Sequence, residues 1–159
     1  MLKYLKYHRV SLSLSPHFFA AFLSILSTLH AVRAVIPRMI ARRAGHVVLV
    51  SSGMALTAYT GYSTYAPTKF AIRGLGECLR SEMLPHNIAI HQAYPPGFQS
   101  PGFEQENLSK PADTKAIEAG EPVHTAEDVA ACIVDSVRFY CARRVSRKNM
   151  SPPCWLHLI

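Results

Sequence analysis

The stretch from His46 to Tyr94 constrains the fold more than any other part of the chain. An apolar run, His46-Val47-Val48-Leu49-Val50, has the length and β-branched content of a buried strand. After a loop holding Gly53 and Gly61, Ile72, Leu75, Leu79 and Met83 recur at helical spacing and predict an amphipathic helix over about 63–84. Pro85-His86-Asn87 breaks that helix, and Ile88-Ala89-Ile90-His91-Gln92-Ala93-Tyr94 predicts a second strand. Strand, helix and strand in this order make a right-handed parallel crossover, so the fold class is α/β. Ligands of such sheets bind beyond the carboxyl ends of the strands. Ser51-Ser52 follows the first strand and Pro95-Pro96-Gly97 the second, which brings both to that end.

The helix carries the chemistry. Tyr65 and Lys69 stand four residues apart, so both project from one face and can act on one bound molecule. A neighbouring ammonium stabilises a phenolate, which predicts a lowered Tyr65 pKa. Ser52 lies thirteen positions before Tyr65, and its hydroxyl can hold a carbonyl oxygen; Ser51 takes that place if the strand end shifts by one residue. Ser63 or Thr64 can cap the helix, and Pro67 is tolerated in its first turn. The spacing alone also fits a surface tyrosine beside a solvated lysine.

The run GHVVLVSS, then Tyr65-Ala66-Pro67-Thr68-Lys69-Phe70-Ala71-Ile72-Arg73-Gly74-Leu75, resembles the Ser…Tyr-x-x-x-Lys core of the short-chain dehydrogenases/reductases. Within that family, Ala93-Tyr94-Pro95-Pro96-Gly97, Pro101 to Asn107 and Lys110-Pro111 are most similar to the 3-ketodihydrosphingosine reductases. The resemblance implies NADPH-dependent reduction of a long-chain 3-keto sphingoid base, a lipid ketone, at the cytosolic face of the endoplasmic reticulum membrane. Ser52 would bind the ketone, Tyr65 would donate the proton, and Lys69 would hold the nicotinamide ribose while lowering the Tyr65 pKa. Pro96 and Gly97 would lie against the nicotinamide, with Ser100 near its carboxamide. Three positions depart from the pattern: Ser24 stands where the family has a relay Asn, Pro67 replaces a small residue, and Gly97 replaces an acidic residue often found in the sphingoid reductases.

The chain has 159 residues, against the roughly 250 such a reductase needs, and its eight glycines begin only at Gly45. No glycine-rich turn for a cofactor pyrophosphate is present, so the resemblance covers about Ser27 to Arg138. The expected architecture is a partial Rossmann-like doubly wound parallel sheet lacking the N-terminal dinucleotide-binding half. Three parts are expected: a basic and apolar segment 1–26, the catalytic part 27–138, and a basic tail 139–159. Lys3, Lys6 and Arg9 followed by Phe18 to Leu26 read either as a signal or anchor or as a buried helix. From Thr28 a helical pattern continues, which Pro37 should kink or end and Gly45 should close.

Net charge is +7, but no nucleic-acid fold motif accompanies the basic residues, so no nucleic acid partner is expected. Cys78, Cys132, Cys141 and Cys154 have no regular spacing and read as reduced thiols, and no metal site is predicted. Homo-oligomers through the helices and a membrane-surface contact, at the two basic ends or at Cys154-Trp155-Leu156, are the remaining partner expectations. Residues 98–122 read as a polar segment covering the substrate. Phe98 and Phe103 in it, and Met54, Leu56 and Tyr59 before the helix, either line the pocket or anchor their loops. The chain is then an oxidoreductase by descent, for the sphingoid base or for another lipid or steroid ketone, or a truncated non-catalytic remnant that at most pairs with relatives.

Overall fold

The computed structural model describes residues 16–145. The basic residues Lys3, Lys6 and Arg9 and the terminal Cys154-Trp155-Leu156 lie outside the described residues. Helix α1 (Pro16–Arg42) leads into strand β1 (Gly45–Val50), helix α2 (Ala66–Met83) and strand β2 (Ile88–Ala93). Three further helices follow, α3 (Pro101–Ser109), α4 (Ala112–Glu118) and α5 (Ala126–Val145).

β1 and β2 pair in parallel, from Gly45 opposite Ile88 to Val50 opposite Ala93, as the crossover pattern requires. Val47, Leu49, Ile88 and Ile90 turn one face of this sheet to Val32 and Ile36 of α1 and to Ile72, Leu79 and Met83 of α2. Each such buried side chain contributes roughly 1.5–3 kcal/mol. On the opposite face, His46 Nδ1 lies 3.0 Å from His91 Nε2. Burial, followed by the adjacent His46, pushes His91 down to about 4. β2 is buried throughout, whereas Val50 at the end of β1 is 52% exposed. The buried strand expected from the sequence is therefore covered on one face only: His46 and Val50, on the face turned away from α1 and α2, are exposed.

α1 corrects several expectations. It runs through the boundary placed at residue 26 and through Pro37 without ending. Pro37 removes the N–H that would reach the Arg33 carbonyl, and both residues are exposed, which leaves that carbonyl open to solvent. The left-handed residue that closes the helix is Arg43 (φ 50°), not Gly45. Gly45 instead opens β1, where a Cβ would come within 2.6 Å of Met39 Sδ. The Arg43 turn is clipped to the next one: Asn87 Nδ2 donates to the Arg43 carbonyl at 2.8 Å, and Arg43 donates to the Pro85 carbonyl at 3.0 Å.

Residues 98–124 hold two short helices rather than an irregular loop. Their base is closed by a bridge between Phe98 and His124, with Gln99 N–H donating to the His124 carbonyl at 2.9 Å. Thr125 then caps α5, accepting from Asp128 N at 3.1 Å and donating to Asp128 Oδ2 at 2.7 Å. α5 continues past Arg138, so the expected tail begins as helix.

Candidate active site

Ser51 extends the strand ladder, donating its N–H to the Ala93 carbonyl at 2.8 Å, and its hydroxyl donates to the Lys69 carbonyl at 3.0 Å. Buried and committed, it does not exchange roles with Ser52; it fastens the end of β1 to the first turn of α2. Ser52 is extended (φ −163°), and its Oγ accepts from Met54 N at 3.2 Å, capping a short helical turn over Gly53–Ala55. Gly53 N–H reaches the Pro95 carbonyl at 3.0 Å, which joins the loops after the two strands.

Tyr65 itself is the N-cap residue of α2. Neither Ser63 nor Thr64 caps the helix, because a turn at Tyr62 delivers the chain directly, with Tyr65 N–H donating to the Tyr62 carbonyl at 3.1 Å. Pro67 sits in the first turn without displacing either predicted residue. Lys69 Nζ lies 5.2 Å from the centre of the Tyr65 ring. The Tyr65 phenol is nonetheless pushed above its ordinary value, by burial first, against a lowering hydrogen bond with Ser52 and with a further raising contribution from Glu106. Burial holds the Lys69 ammonium below its ordinary value. The predicted lowering of Tyr65 by Lys69 is therefore corrected: burial sets the direction, and the ammonium stands over the ring.

Ser52 and Tyr65 open into a cleft of about 780 Å³, together with Pro96, Gly97 and Ser100 from the loop after β2. Lys69 is not among its lining residues. A Cβ at Gly97 would make only ordinary contact with the Phe103 ring, 3.4 Å away. Ser100 Oγ accepts from Phe103 N at 3.1 Å, capping α3 and leaving its proton to donate. Met54, Leu56, Phe98 and Phe103 give the cleft apolar wall, so the lining alternative for these residues is the one observed.

A polar cluster on the far wall was not singled out in the sequence. Lys110 Nζ donates to Glu118 Oε2 at 2.6 Å and lies 3.2 Å from Glu106 Oε1. The Tyr62 hydroxyl is 2.6 Å from a carboxylate oxygen of each glutamate, and the Tyr59 hydroxyl donates to Glu118 at 3.0 Å. Burial alone would raise the Glu118 carboxyl, but hydrogen bonds from Lys110, Tyr62 and Tyr59 hold it below its usual range. Burial, then the carboxylates, raise both tyrosines. The only local signal was the helical i,i+4 spacing of Glu106 and Lys110.

Residues 21–111 match the family described as short chain dehydrogenase. The chain is 44% identical over 118 residues to a 3-ketodihydrosphingosine reductase of Dictyostelium discoideum, covering 73% of this chain and 35% of that protein. It is 44% identical over 109 residues to a 3-dehydrosphinganine reductase of Danio rerio, covering 69% and 33%. The chain thus spans about a third of the length of these curated relatives. Its fold is similar to that of ElxO solved with NADP bound, with a TM-score of 0.59 at 24% identity, covering 69% of this chain and 46% of that one.

Proposed function

The chain belongs to the short-chain dehydrogenase family, and from that premise we propose that its cleft serves the NADPH-dependent reduction of a long-chain 3-keto sphingoid base to the alcohol. The observation that carries this reading is the meeting of the Ser52 and Tyr65 hydroxyls at the end of β1, in a cleft to which Met54, Leu56, Phe98 and Phe103 contribute apolar wall. The names of the relatives supply the substrate class.

Ser52 Oγ accepts from Met54 N and shares a hydrogen bond with Tyr65, so a ketone oxygen takes the Ser52 proton in exchange for the Tyr65 contact. Tyr65, kept protonated by its raised pKa, donates the proton that the carbonyl oxygen gains. The Lys69 ammonium beside the ring then offsets the phenolate that remains. Lining the cleft, Ser52, Tyr65 and Ser100, the last with its donor retained, fit the nicotinamide end of the cofactor, and Lys69 beside the Tyr65 ring fits its ribose. When bound there, NADPH supplies the hydride that reduces the carbonyl carbon. The sequence offers no glycine-rich turn for the pyrophosphate, so this chain's residues are assigned to the reacting end alone.

We place the reaction at the cytosolic face of the endoplasmic reticulum membrane. The lipid character of the substrate supports this, as do the exposed Phe22, Leu23, Leu26 and Leu29 of α1.

The test is a fluorescence titration with NADPH, followed by mass-spectrometric detection of the reduced sphingoid base. Saturable micromolar binding that Tyr65→Phe/Lys69→Ala weakens, with product formation falling about 10²–10⁴-fold in Tyr65→Phe, is the expected result. A well-folded chain that binds no NADPH would overturn it and would leave inherited residues without a working site.

A further inference from the structure

The polar cluster on the far wall joins three segments distant in sequence. Glu106 and Lys110 sit on and just after α3, Glu118 ends α4, and Tyr59 and Tyr62 belong to the loop that delivers Tyr65. The Lys110 side chain is only 4% exposed. An ammonium so withdrawn from water needs opposite charge, and it has two carboxylates, with the Phe103 ring 4.6 Å and the Tyr62 ring 5.7 Å away. The tyrosine hydroxyls reach the same two carboxylates from the loop before α2, so the cluster ties that loop to the α3–α4 segment.

We propose that Lys110 is a positioning residue whose buried ammonium fastens the α3–α4 segment to the loop leading into Tyr65, fixing the separation of the two walls of the cleft. A second clasp lies beside the first, where Thr114 Oγ1 donates to the Thr60 carbonyl at 3.1 Å. The Tyr62 ring that meets the cluster stands 5.8 Å from the Tyr65 ring, so the fastening reaches the reacting side of the cleft. Because the Phe98–His124 bridge closes the base of the segment independently, losing Lys110 frees the tip and leaves the strands in place. The inference concerns the cleft wall and does not depend on what the cleft binds.

Amide hydrogen exchange of the chain, compared with Lys110→Met and Lys110→Arg, tests it without substrate. Lys110→Met keeps the stem and removes the charge. It is expected to speed exchange about tenfold or more across residues 101–118, with β1, β2 and α2 unchanged, and Lys110→Arg is expected to restore most of the protection. Wild-type exchange in Lys110→Met, loss of protection throughout the fold, or an Arg variant as exposed as the Met variant would each overturn it. If Lys110→Met does not fold, Tyr59→Phe/Tyr62→Phe removes the hydroxyls from the other side. The same segment-limited loss is then expected, and unchanged exchange would overturn the proposal.

Discussion

Two glycines of α2, two residues apart, should respond to the same substitution with opposite signs. Gly76 is buried against β2, where an added Cβ would come 2.6 Å from Gln92 Oε1 and 2.7 Å from Nε2. Gln92 cannot simply retreat: it is 5% exposed, and its Oε1 accepts from the Tyr94 hydroxyl at 2.8 Å. Helix propensity favours Ala over Gly by about 1 kcal/mol. Against that stand about 1–3 kcal/mol for overpacking and about 1 kcal/mol or more for a strained or broken buried hydrogen bond. Gly76→Ala is therefore expected to destabilise by about 1–3 kcal/mol. Gly74 is exposed, with nothing within 4 Å of its Cβ position, so Gly74→Ala should stabilise by up to about 1 kcal/mol. Urea unfolding followed by far-ultraviolet circular dichroism measures both. In a Gln92→Ala background, the penalty at Gly76 should largely disappear. Stabilisation by Gly76→Ala in the otherwise unchanged chain would refute the packing of α2 on β2 described above.

Gly61 adopts φ +92°, and a Cβ there would overlap the Thr114 hydroxyl, so Gly61→Ala should cost about 2–3 kcal/mol by urea unfolding, with part recovered in Thr114→Ala. Ser51→Ala removes the bond to the Lys69 carbonyl and should cost about 1 kcal/mol in the same assay; an unchanged midpoint would show that the bond contributes nothing to anchoring α2. His91 titrates near 4 in the fold and near 6.5 unfolded, so the unfolded chain takes the proton first as pH falls. Its contribution is complete above about pH 6.5 and is lost towards pH 4, by up to about 3 kcal/mol, which His91→Leu should abolish when unfolding is compared at pH 7 and pH 4.5.

β1, α2 and β2 are legible in the sequence because each is long enough for its own hydrophobic period to show. Their order then permits one parallel arrangement. Ser52, Tyr65, Pro96, Gly97 and Ser100 follow as consequences, since two strand ends and one helix start bring them to a single cleft. Helix ends are less legible, because several hydroxyls compete and the turn decides among them. Ser63 and Thr64 have suitable side chains, yet the Tyr62 turn makes Tyr65 the cap. Arg43 rather than Gly45 takes the left-handed position because β1 needs Gly45 against Met39. The Lys110 cluster was hidden for another reason. Its partners come from separations of 4 to 59 residues, and a charged side chain in a polar stretch ordinarily reads as surface.

The direction of the Tyr65 shift connects the fold to the proposed chemistry. A phenol lowered towards neutrality would serve as a base drawing a proton from an alcohol, whereas one held above its ordinary value stays protonated and is the weaker acid, giving up its proton only to a strongly basic oxygen. In this chain burial sets the sign, and Glu106, drawn to the cleft by Lys110, adds to it. Only the Ser52 hydrogen bond opposes them, and Ser52 is the group that a ketone oxygen would engage in the proposed reduction. A ketone that recruits the Ser52 proton takes away the one contact favouring the phenolate before proton transfer. Its oxygen must then become basic enough to take the Tyr65 proton itself, which happens as hydride reaches the carbonyl carbon.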